Sequence, residues 1–145
     1  MDMSLDVYIN FKQPRQCNFF LEHPYSYSYL SERDKSDFNE QNYWDANITH
    51  NLCEMADHIP VKFKDKDTNL YYACWHPDEI GAITVADVLP MLIQGLHYMI
   101  DHRKELKQFD SPNGWGTYEG FMKFLLNYKQ ACEDNDLDCI IETDT

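Results

Sequence analysis

The chain has 145 residues, 43% of them hydrophobic and 14% aromatic, and a formal net charge of −13. That length suits about one domain, and the aromatic content supports a buried core, so a disordered acidic tail is excluded. The charge repels nucleic-acid phosphates, so direct nucleic-acid binding is not expected, whereas plain solubility or a partner protein with a basic surface both fit it.

Residues 5–11 (L-D-V-Y-I-N-F) alternate, with Leu5, Val7, Ile9 and Phe11 on one side, and predict a half-buried strand. A short strand is expected over 17–21. Residues 23–42 are polar and aromatic, with Tyr25, Tyr27 and Tyr29 alternating with serines, and read as a loop or edge hairpin. Residues 45–59 (D-A-N-I-T-H-N-L-C-E-M-A-D-H-I) place Ile48, Leu52, Met55, Ala56 and Ile59 at helical spacing. The same spacing lines up Asn47, His50, Asn51, Glu54 and His58, so a helix is expected here, capped by Asp45 or Asn47 and ended by Pro60.

Residues 62–64 and 70–75 flank the turn formers 65–69 and predict a small hairpin or surface excursion. Residues 75–81 (W-H-P-D-E-I-G) read as a short helical turn closed by Gly81. Thr84 and Asp87 form a capping box for a helix to about 107, with Val85, Val88, Leu89, Leu92, Ile93, Leu96 and Ile100 as its apolar face. Thr117 caps a helix over 118–133 that buries Tyr118, Phe121, Met122, Leu125, Tyr128 and Cys132. Residues 137–142 predict a last strand whose natural partner is the first. The expected fold is α+β: one domain, 1–145, with three main helices packed on a small antiparallel sheet that pairs the N- and C-terminal strands. Surface excursions are expected near 23–43 and 61–70.

Cysteines 17, 53, 74, 132 and 139 form no C-x-x-C pair, which suits buried free thiols in a reducing compartment. The start, M-D-M-S-L-D, lacks the basic and apolar regions of a signal peptide, so a cytoplasmic location is expected. Residues 81–100 are the most apolar stretch, but Asp87, Pro90, Gln94 and His97 interrupt it, so no membrane span is expected.

Three blocks occur in order: N-I-T-H-N-L (47–52), W-H-P-D-E-I-G (75–81) and N-G-W-G-T-Y-E-G (113–120). In these, and in the V-Y-I strand, the chain resembles a family of small, functionally uncharacterised proteins of bacterial and bacteriophage genomes. The likeness runs through most of the chain. It departs at Cys53, where the family usually has a small residue, and at His76, where it usually has Arg. Residues 25–42 and 61–69 look like additions. The resemblance implies no activity. It implies a phage or bacterial cytoplasmic origin, and that the three blocks lie close together.

Asn47, His50, Asn51 and Glu54, meeting Trp75 and the Trp115, Tyr118 and Glu119 segment, are the candidate ligand set, since amides, an imidazole, a carboxylate and indoles suit a small polar or nucleotide-like molecule. The plainer alternative is that His50 and Asn51 brace neighbouring loops through hydrogen bonds. His50, Glu54, His58 and His76 are a weak metal set, because H-x-x-x-E spacing is common by chance. No G-x-S-x-G and no G-x-G-x-x-G loop is present, so no catalytic residue and no cofactor is assigned. The reading is a non-catalytic acidic binding protein, a phage-type inhibitor on a basic host surface. A small-ligand-binding protein is the alternative, and a metal-dependent hydrolase comes third.

Overall fold

The sheet is built from the two ends of the chain and one strand from its middle. The computed structural model describes residues 4–10 and 42–145, with the side chains of 42 and 43 excepted. The expected strand over 17–21 and the tyrosine segment over 23–42, Asn42 aside, lie outside the described residues. Strand β1 (Ser4–Asn10) is central, flanked by β2 (Asn42–Thr49) and β5 (Ile140–Asp144), both antiparallel to it. The alternation in β1 does what it predicts: Leu5, Val7 and Ile9 are fully buried and their neighbours are only partly covered. The fold is therefore α+β, with the first and last described strands paired.

The expected helix over 45–59 is corrected over its first half. Asp45 to Thr49 are extended and belong to β2; the helical part is a 3-10 turn, His50–Leu52, followed by α1 (Cys53–Asp57). Neither Asp45 nor Asn47 caps it. Thr49 does, its hydroxyl accepting from the Asn51 N–H at 3.3 Å. The apolar residues themselves are all buried: Ile48 on the sheet, Leu52, Met55, Ala56 and Ile59 beyond it.

A second correction falls on 62–75. The hairpin pairs β3 (Pro60–Phe63) with β4 (Lys66–Asn69), so the turn formers supply a strand, and Leu70–Trp75 is helix α2. Lys64 and Asp65 both have positive φ, the two-residue geometry that follows the twist of a hairpin. Asn69 then starts α2 by accepting from the Tyr72 N–H at 3.1 Å. Pro77–Ile80 forms a 3-10 turn ended by Gly81 at φ +83.

Helix α3 (Val85–Asp101) stops at His102, short of 107, and continues as the one-turn α4 (Arg103–Leu106). Its buried stripe includes Met91, Gly95 and Met99, while Ile100 is 65% exposed. Gly95 is required by contact: a Cβ there would lie 2.7 Å from Leu70 Cγ, so α2 and α3 touch at that point. Gln94 seals the free edge of β3, accepting from the Lys62 N–H at 2.8 Å and donating to its carbonyl at 3.1 Å. Helix α5 (Tyr118–Glu133) is capped by Thr117 and packs on the inner face of the sheet, where Tyr128 stacks on Trp44 with centroids 5.3 Å apart. No helix among the described residues is long and apolar enough to cross a membrane.

The two edges of the sheet differ. Beyond β5 runs the segment before α3, with the Ile141 N–H donating to the Ile83 carbonyl at 2.9 Å and Thr84 bridging Ile140. Beyond β2 no strand pairs among the described residues.

Candidate functional site

The polar set expected on one helix divides into three places. Asn47 sits on β2 and faces away from α1: its amide donates to Ser4 Oγ at 2.9 Å and Asp6 Oδ1 at 2.7 Å on the outer face of the sheet. His50 turns inward. Its Nδ1 accepts the indole N–H of Trp75 at 3.0 Å, with Cys53 Sγ 3.5 Å from the same nitrogen. Trp75 is 1% exposed and packs against Tyr71 and Phe121, so this bond satisfies a buried donor. Asn51 reaches the third block, its amide donating to the Trp115 carbonyl at 2.9 Å. The turn comes this close because Gly116 is glycine at φ +102; a Cβ there would lie 2.9 Å from Asn51 Cβ.

The three sequence blocks thus meet, through braces rather than around a cavity. The Trp115 side chain is 70% exposed. Tyr118 is buried, its hydroxyl donating to the Met99 carbonyl at 2.6 Å; burial raises its phenol against the pull of Arg103. Glu119 points elsewhere, to Lys107 at 2.7 Å and Arg103 at 3.3 Å, and the Lys107 bond lowers its carboxyl. Glu54 is exposed on α1.

The three histidines of the metal set go to three different neighbours. His50 takes the Trp75 indole, and His58 Nδ1 lies 2.8 Å from the Glu54 carbonyl with its ring stacked on Phe109. His76 Nε2 lies 3.0 Å from the Tyr71 hydroxyl. No group of three His, Cys, Asp or Glu side chains among the described residues could hold a metal ion. The thiols are inert in character: burial pushes Cys53, Cys74 and Cys139 up, and Cys132, helped by Glu133, up to about 12.

A different surface gathers charge. On the outer face of the sheet, opposite Leu5, Val7 and Ile9, the register sets Asn47, Asp6 and Asp144 in one cross-strand row. The next row is Asp45, Tyr8 and Glu142. Side chains directly opposite stand about 4.5–5.5 Å apart at Cβ, and like charges there are destabilising. Asp6, Asp45, Glu142 and Asp144 share this face, and β1, β2 and β5 contain neither Lys nor Arg. Sequence reasoning missed this face because it used only the apolar half of the alternation; the polar half of L-D-V-Y-I-N and of I-I-E-T-D carries the signal.

Along the edge of β2 that no described strand pairs runs a groove of about 520 Å3. Trp44 to Ile48 form one wall and a stripe of α5, including Gly120, Lys123, Phe124 and Ala131, forms the other. A second groove, of about 560 Å3, lies across α5 between Ile100 and Leu126, with Arg103 and Lys123 at its rim. A third, of about 390 Å3, separates Trp75 to Asp78 from β5. None of the three is lined by His50, Asn51 or Trp115. Comparison with protein-family models, with curated proteins and with solved structures gives no match.

Proposed function

We propose that this chain is a non-catalytic acidic binding protein that acts by occupying a basic surface of another protein. The observation that carries the reading is the outer face of the sheet, where Asp6, Asp45, Glu142 and Asp144 stand in two cross-strand rows with no cation on their strands. Carboxylates set side by side with no cation on the described strands cost stability in the free protein and gain it back against Lys and Arg of a partner. The net charge of −13 adds long-range attraction to the same class of partner. The family resemblance implies a phage or bacterial cytoplasmic origin and no activity; in that setting the acidic face would suit a phage-type inhibitor, with a basic groove that normally holds nucleic acid as its target. His50 and Asn51 hold the scaffold; the sheet face makes the contact.

The test is capture of a bacterial host protein on the immobilised chain over a salt series, with a variant carrying Asp6→Asn, Asp45→Asn, Glu142→Gln and Asp144→Asn beside it. The expected result is a partner with a basic surface that is released as salt rises, and lost to the neutralised variant. A partner held equally by both proteins, or indifferent to salt, rules the reading out.

A further inference from the structure

We infer that the partner is engaged by strand addition. An extended segment alternating Lys or Arg with small apolar residues pairs with the free edge of β2 and lies in the groove between β2 and α5. The inference rests on the proposed function and names the form its basic partner takes.

Three observations lead there. First, among the described residues the two edges of the sheet differ: Ile83 and Thr84 run along β5, and Gln94 seals β3, but no described strand pairs beyond β2. The open edge is an eight-residue strand with neither Lys nor Pro, the residues that commonly blunt such an edge. Unpaired N–H and C=O groups along it are a template for another extended chain.

Second, the space beside that edge has the shape of a strand. The α5 wall from Gly120 to Asp134 spans about 21 Å at about 1.5 Å per residue, room for roughly six extended residues. Its lining is mixed: Ala46, Gly120, Ala131 and the ring of Phe124 leave room for short apolar groups, beside the polar side chains of Asn127 and Gln130.

Third, the two sides of the edge differ in chemistry. An added strand presents alternate side chains to opposite faces. Those on the groove side meet Ala46, Phe124 and the rest of the mixed lining. Those on the other side extend the outer face of the sheet, next to Asp45 and the row that carries Glu142, where a cation is favoured. A second copy of the chain would bring acid to acid on that face.

The probe is an acetylated, amidated hexapeptide alternating Lys and Val. Its controls are the same peptide N-methylated at every peptide bond, which keeps the charge and removes the donors, and a Glu–Val peptide. Calorimetry should show the Lys–Val peptide binding, the N-methylated one weaker by roughly tenfold or more, and no binding of Glu–Val. Amides of β2 should gain protection from hydrogen exchange, and Asp45→Lys should transfer preference from the Lys–Val to the Glu–Val peptide. Equal binding of the methylated peptide overturns strand addition and leaves the acidic-face reading standing. Absence of Lys–Val binding overturns strand addition too, and the host-protein capture then decides the acidic face separately. A dimer in sedimentation whose β2 amides are already protected assigns the edge to a second copy and overturns the inference.

Discussion

At the scale of single residues, two buried polar atoms with opposite status test how hydrogen bonding is settled in this core. The Trp75 indole N–H is satisfied by His50 Nδ1. Removing the acceptor strands a donor that solvent cannot reach, so His50→Ala should lower stability by about 1–3 kcal/mol in urea unfolding. Tyr128 is the reverse case. Its ring is fully buried against Trp44 and Phe124, and its hydroxyl has no hydrogen-bond partner among the described residues. Tyr128→Phe removes an unpaired polar atom and keeps the ring, so it should leave stability unchanged or raise it by about 1 kcal/mol, read from the same unfolding midpoints. Loss of stability in that variant would mean that the hydroxyl is satisfied after all.

At the scale of elements, helix α3 shows how a cap becomes a pH dependence. Burial pushes the Asp87 carboxyl up, but the Ile83 and Thr84 N–H groups it accepts, at 2.9 and 3.2 Å, together with the Lys64 charge, bring it below the ordinary carboxylate value. A folded-state value below the unfolded one adds stability that is present above the unfolded range and is lost as pH falls through the folded value. Asp87→Asn should therefore cost about 0.3–1.5 kcal/mol near neutral pH and flatten this part of the acid limb, seen by comparing unfolding at about pH 7 and about pH 3. This capping box was readable because it is local: hydroxyl, carboxylate and apolar run stand within four residues. The same holds for β1 and the Thr117 cap of α5, whereas the last strand, expected over 137–142, runs Ile140–Asp144. Over 45–49 the sequence supports two periods at once. Ile48 begins a helical stripe with Leu52 and Met55, but Trp44, Ala46 and Ile48 also alternate, and only pairing with β1, some forty residues away, decides for the strand. Leu70 to Trp75 misled for a related reason. An aromatic, apolar run suits a strand, and the Asn69 cap and the contact of Leu70 with Gly95 override that preference. The acidic face was hidden in the same way, since no single strand shows that Asp6 stands opposite Asp144.

At the scale of the whole molecule, the proposed function makes the acidic face set stability against recognition. Asp144→Asn removes the carboxylate opposite Asp6 and should raise stability by about 0.2–1 kcal/mol at low ionic strength. The gain should shrink as salt screens the pair, which thermal unfolding at two salt concentrations would show. The same variant should bind a basic partner more weakly, so the two effects move in opposite directions. The position of β1 has a further consequence. Among the described strands, the one that comes first along the chain lies in the middle of the sheet, and one of its two neighbours comes last. While the ribosome is still synthesising the chain, Leu5, Val7 and Ile9 wait beside a missing flank until Ile140–Asp144 emerges. Nascent chains stalled just before residue 140 should be cut readily by protease within β1, and chains extended after residue 145 by a flexible linker long enough to fill the exit tunnel, and stalled at its end, should resist.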